Sequence, residues 1–319
     1  MNFITISRLV VSRNLILLIL AGTLQCSMVY ASSGKDKTFS HVNLARELYL
    51  QGVEYAKYGM HDEAIELFKK SLASDPDNID TCISLGDVYI EKRMDAEAIE
   101  IFQKVIKINP NQPEASFKLG TVYFDMEGYE SAIQYLMKTI EMNPDYKVAY
   151  SLLGISYAKI GKYDQAIGIL KKRIEQDPNL AIAYSNLGLV YTMKGMNKEA
   201  LAEYNKALEI NPYHEETLFN IAVLYENMGK IDEATTYYNK TVECDSSNAN
   251  AQYRLGINYF KKEQYDEAIN AFEISLMANP GNIEAYNDLG KVYKAKGMEE
   301  EAKNFFSLYN KQLKSLQKK

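Results

Sequence analysis

Apolar residues recur along this chain at helical spacing, and residues 181–214 show the pattern most plainly. Tyr184, Leu187, Gly188 and Tyr191 stand three to four apart, which puts them on one face of a helix. Gly195 then supplies the left-handed conformation that ends a helix cheaply. Ala200, Leu201, Tyr204, Ala207 and Leu208 draw the apolar face of a second helix. Asn211-Pro212 stops it, because the residue before a proline is pushed out of the helical region. Helices of this length are only ~20 Å long. Such a pair cannot enclose a core alone, so its neighbours must be copies of it.

The copies are present. Steps of 34 residues from Gly188 reach Gly52, Gly86, Gly120, Gly154, Ala222, Gly256 and Gly290. The same step from Ala200 reaches Ala64, Ala98, Ala132, Ala166, Ala234, Ala268 and Ala302. From Tyr191 it reaches Tyr55, Tyr89, Tyr123, Tyr157, Tyr225, Tyr259 and Tyr293. From Pro212 it reaches Pro76, Pro110, Pro144, Pro178 and Pro280, with Ser246 in the sixth unit instead. Gly at position 8 and Ala at position 20 mark where the two helices cross. A larger side chain there would push their axes beyond the usual ~8–10 Å. The Tyr column fills the gap beside the crossing and keeps its hydroxyl near water.

These columns resemble the tetratricopeptide repeat (TPR) family over residues 45–314. The resemblance implies an all-α, right-handed superhelical solenoid of eight antiparallel helix pairs. The units run 45–78, 79–112, 113–146, 147–180, 181–214, 215–248, 249–282 and 283–316. Arg93, Glu127 and Glu263 stand where the other first helices end on Gly, so those turns are expected to be strained or differently shaped. In the last repeat Lys303 and Asn310 replace Ile, Leu or Val, the polar outer face that terminal repeats need. Phe305, Phe306, Tyr309, Leu313 and Leu316 still continue an apolar stripe. It predicts a lengthened final helix that partly covers its own repeat; the alternative is pairing with another chain. Residues 317–319 are a basic end.

Residues 1–31 read differently. Arg8 and Arg13 form a basic start, Leu15 to Leu24 an apolar run, and Val29-Tyr30-Ala31 a cleavage signature. The expectation is a secretory signal peptide cut after Ala31, giving a periplasmic or extracellular protein with no stable membrane insertion. Alternatives are an N-terminal membrane anchor and, more weakly, a lipoprotein acylated at Cys26. Residues 32–44 are polar and aperiodic, as in a flexible leader. Loss of residues 1–31 leaves 34 basic against 42 acidic residues, a net charge of −8. Such a surface repels phosphate backbones, which argues against nucleic acid as a partner. Cys82 and Cys244 lie four repeats apart, too far for a disulfide.

No catalytic chemistry is legible. His41, His61 and His214 are dispersed, which excludes a shared His metal site, and no phosphate-binding glycine loop occurs. The reading is a non-enzyme without cofactor or metal. What remains is surface. The resemblance implies that positions 2, 5, 9, 12 and 13 of each first helix line a concave groove. Its apolar members Phe117, Phe124, Ile155, Leu189, Phe219, Tyr253, Ile257 and Phe260 form a band suited to a partner peptide. Asp80, Asp87, Glu91, Glu114 and Asp125 form an acidic patch suited to a basic stretch of that peptide. The carboxylate clamp that some family members use for chaperone tails is not matched. Asn220 and Arg254 fit it, but Ser185, Leu189 and Asn250 replace the required Lys, Asn and Lys. The expected function is a protein–protein scaffold of the cell envelope or periplasm that holds a partner segment in the groove. The alternative is a structural protein that self-assembles into homo-oligomers through its solenoid ends.

Overall fold

The structure, a computed structural model, describes residues 37–316. The predicted signal segment and the basic end 317–319 lie outside them. The described residues form sixteen α-helices, two per repeat. Repeat 1 is α1 (Lys37–Lys57) and α2 (His61–Ser74); repeat 2 is α3 (Ile79–Glu91) and α4 (Asp95–Ile108). Repeat 3 is α5 (Pro113–Asp125) and α6 (Tyr129–Met142); repeat 4 is α7 (Lys147–Lys159) and α8 (Tyr163–Gln176). Repeat 5 is α9 (Ala181–Met193) and α10 (Asn197–Ile210); repeat 6 is α11 (Glu215–Asn227) and α12 (Ile231–Cys244). Repeat 7 is α13 (Ala249–Lys261) and α14 (Tyr265–Ala278); repeat 8 is α15 (Ile283–Ala295) and α16 (Glu299–Leu316). Odd-numbered helices are called A and even-numbered ones B below. The fold is an all-α helical repeat solenoid. It divides into two compact units, one ending at Ser156 and the other beginning at Tyr157.

One expectation fails at the start of α1. Residues 37–44 are helical, not an irregular leader. No Gly or Pro interrupts residues 35–51, and extending an existing helix costs far less than nucleating one. At the other end α16 is longer than the other B helices, as the apolar stripe predicts.

Inside a repeat, the Gly column sits against the ring or branched side chain at position 24. A Cβ added at Gly86 would lie 2.4 Å from Phe102 Cζ, and one at Gly188 2.6 Å from Tyr204 Cδ1. Leu, Phe and Tyr at this position, from Phe68 to Phe272, are fully buried. The Tyr column stacks beside the crossing: Tyr123 on Tyr135 at 5.6 Å, Tyr225 on Tyr237 at 5.6 Å and Tyr293 on Phe305 at 5.3 Å.

The turns follow from local chemistry. Gly59, Gly161, Gly195, Gly229 and Gly297 have positive φ. Arg93, Glu127 and Glu263 adopt the same left-handed backbone, with φ of 58°, 59° and 60°. These turns are therefore strained rather than reshaped, at roughly 1–2 kcal/mol each. The B helices of repeats 2 to 7 end on Asn or Asp, whose side chain accepts a bond from the N–H two residues on, as in Asn211 to Tyr213 at 3.1 Å. The same bond, Ser247 N to Asp245 Oδ1 at 2.9 Å, lets repeat 6 turn without its proline.

Between repeats the partners vary. Lys92, Lys194, Lys262 and Lys296, just past the ends of their A helices, pair with Asp62, Asp164, Asp232 and Asp266 of the preceding B helix. Asn258 stands in a column that is Val in four of the eight repeats; it is fully buried, and neither amide atom has a partner among the described residues.

Candidate peptide-binding face

In the first unit, α5 places the Phe117 ring 4.8 Å from that of Tyr146, in the turn after α6. Burial pushes the Tyr146 phenol up, and the carboxylates of Glu114 and Asp87 add to it. Lys118, one residue after Phe117, sets its Nζ 2.7 Å from Asp87 Oδ1 and supplies a cation inside the patch. Glu91 approaches His61 Nδ1 at 3.3 Å. Asp80 and Asp125 are exposed and have no ion-pair partner among the described residues. The predicted patch is thus partly neutralised from within. Phe124 meets Tyr129 edge-on at 5.5 Å, and Ile155 is half-buried.

In the second unit, Leu189 is half-buried on α9. Phe219 rests edge-on against Tyr238 at 5.6 Å, and Tyr253 lies tilted against Phe272 at 5.6 Å. Phe260 packs on Tyr265 at 6.1 Å. Tyr253, Ile257 and Phe260 together lie on the core of Ala268, Phe272, Ala285, Leu289 and Val292. Every predicted apolar residue is half-buried, and Tyr253, Ile257 and Phe260 pack on both their own repeat and the next.

Polar groups fix the second face in ways the repeat columns did not reveal. The Tyr238 hydroxyl donates to Glu226 Oε2 at 2.7 Å, and Arg254 Nη1 stands 3.5 Å from Glu226 Oε1. The Tyr253 hydroxyl donates to Asp288 Oδ2 at 2.9 Å, while Lys291 donates to Asp288 Oδ1 at 2.8 Å. Burial and then the neighbouring carboxylate push both phenols well up. In repeat 5 the equivalent residue is Tyr204, whose hydroxyl lies 3.2 Å from Thr192 Oγ1. One signal was available: where position 24 is Tyr, position 12 is Thr192 or Glu226. Chemically the surface offers apolar edges between charges that already hold one another. It suits binding rather than bond-making.

Known families share this architecture. A model of the Cilia and flagella-associated protein 70 C-terminal domain matches residues 78–278, and tetratricopeptide repeat models match residues 45–78 and 259–315. The chain belongs to the tetratricopeptide repeat family. This TPR protein matches no curated protein. Among solved structures, a tetratricopeptide repeat protein from Parabacteroides merdae ATCC 43184 is similar with a TM-score of 0.68 at 18% identity. The match covers 78% of this chain and 98% of that one, and it is a likeness of fold. MamA is 32% identical over 55% of this chain and 92% of its own, with a TM-score of 0.48. YrrB, described as "a TPR protein with an unusual peptide-binding site", is 28% identical over 55% and 90%, also with a TM-score of 0.48. Among the described residues no helix is long and apolar enough to cross a membrane.

Proposed function

We propose that this TPR protein is a non-enzymatic adaptor of the cell envelope or periplasm that holds a segment of a partner protein against the inner face of its A helices. The observation that carries this reading is the half-buried edge of Phe117, Phe124, Ile155, Leu189, Phe219, Tyr253, Ile257 and Phe260. The crossings already supply what closes a repeat. These further apolar edges differ from repeat to repeat, as a surface fitted to a non-repeating ligand would. Apolar edges beside fixed charges suit an extended or helical segment with apolar anchors. A basic residue of the segment competes with Lys118 for Asp87. Export rests on the basic start, apolar run and Ala31 site of the first 31 residues.

Affinity capture from the source organism's envelope tests the reading, with Phe117→Ala/Phe260→Ala run beside the wild type. The expected outcome is a partner held by the wild type and lost by a variant of unchanged helicity. Equal capture by both forms would move binding off this face. For export, the purified envelope form is expected to begin at Ser32; a chain beginning at Met1 would mean a retained anchor.

A further inference from the structure

At internal seams each A helix uses the same positions against the repeat before it. Position 3 meets position 27 of the preceding B helix: Thr81 Oγ1 lies 3.4 Å from Ser71 Oγ. Position 6 reaches the preceding inner face, as Lys118 does to Asp87 and Arg254 to Glu226. Position 10 is buried in every repeat from Val88 to Val292. In repeat 1 these positions hold Glu47, Leu50 and Glu54. Leu50 is 55% exposed, and the two glutamates flanking it are only half-buried. The head of the solenoid is an A-helix face with an aliphatic tip between two carboxylates.

The tail is its counterpart. Position 24 is fully buried in repeats 1 to 7, but Phe306 in α16 is only half-buried. It floors a hollow of about 530 Å³ lined by Lys303, Phe306, Ser307, Asn310, Lys311 and Lys314. The lining contains three cations and no carboxylate, although Lys303 also bonds Glu300 at 2.9 Å from outside it. This is the B-helix face that, at internal seams, receives the next A helix.

We propose that the tail of one copy takes the head of a second copy, set so that the aliphatic tip of the head meets the aromatic floor of the tail. Leu50 enters the Phe306 hollow, and Glu47 and Glu54 face Lys303, Lys311 and Lys314. The contact is head-to-tail, so each added copy leaves a free head and a free tail. One helix face on each side makes it weak, and its charge pairing makes it sensitive to salt. The polar substitutions at both ends thus do two things. They keep the ends soluble, and they select this chain's own other end over an unrelated apolar surface.

Sedimentation velocity on the full chain tests this over a concentration series at low and high salt. The wild type is expected to form concentration-dependent species above the monomer that fall apart in high salt. Lys303→Glu/Lys311→Glu/Lys314→Glu alters exposed tail positions, and Glu47→Lys/Glu54→Lys alters the head. Each alone is expected to weaken association by roughly tenfold or more. Mixed in equal amounts they should assemble again, because each reversed end then meets an opposite charge. Leu50→Asp, at an exposed position, is a second head variant with the same expected loss. Wild-type chain that stays monomeric at the highest concentrations would overturn the proposal. So would variants that assemble like the wild type, or a mixture that stays monomeric. None of these outcomes depends on the inner-face reading above.

Discussion

Inside a repeat the two helices meet through the same kinds of side chain each time; between repeats the same positions carry different ones. At the crossing, Gly or Ala faces a buried Phe, Leu or Tyr, and the Tyr column flanks them. At the seam, the same columns hold a hydroxyl pair at Ser71 and Thr81, Lys–Asp pairs in four places and a stranded amide at Asn258. The difference follows from what each contact must specify. A crossing must close one helix pair, and any repeat needs the same solution. A seam joins two particular repeats and has room for individual solutions, including poor ones.

The largest effect should come from filling a crossing. Gly86→Val would drive a side chain into the buried Phe102 ring, and overpacking of this kind costs ~1–3 kcal/mol or more. Chemical denaturation would measure it. Gly86→Ala should be milder, since Ala222 occupies this column in repeat 6 with no exposure. A neutral Gly86→Val would remove the contrast altogether. The seam prediction has the opposite sign. Asn258→Val replaces an unpaired buried amide by the residue its column favours, and should stabilise the chain by ~1–3 kcal/mol. Destabilisation would mean that Asn258 has a partner inside the seam. The smallest effect belongs to the ion pairs. Asp232 is 84% exposed, so Lys262→Met should cost no more than ~1 kcal/mol, and less as salt rises. A loss as large as that of Gly86→Val would make these pairs, not the crossings, the determinants of the array.

The crossings were legible in the sequence because they recur in register: Gly52 to Gly290, Ala64 to Ala302 and Tyr55 to Tyr293. The turns were legible from Asn-Pro and from Gly, including where Arg93, Glu127 and Glu263 would be strained. The seams were not, because their contacts join residues of different repeats at unlike separations, 30 apart for Asp62 and Lys92 but 10 apart for Ser71 and Thr81. The inner face was half legible. Helical spacing placed Phe117, Phe219, Tyr253 and Phe260 on it. It did not show that Tyr146, Tyr238, Phe272 and Tyr265 would each cover one side of them. Nor did it show Lys118 lodged in the acidic patch. A helical wheel shows direction from one axis, while sideways contact depends on the neighbouring helix.

The Lys–Asp pairs bear on how such an array changes length by recombination. Where the second residue of a B helix is Asp, the next repeat answers with Lys; after Ala96, Glu130 and Lys198 it offers Met126, Ile160 and Met228. Deleting repeat 7 would bring Asp232 before Lys296, and duplicating it would bring Asp266 before a second Lys262, so both products keep a matched pair. Deleting repeat 6 would set Lys198 before Lys262, two like charges. Repeat 7 is therefore a unit that unequal crossing-over can add or remove without a clash of charge. Repeat 6 is tied to its neighbours, and descendants of this gene should gain and lose copies more freely at the seventh repeat than at the sixth.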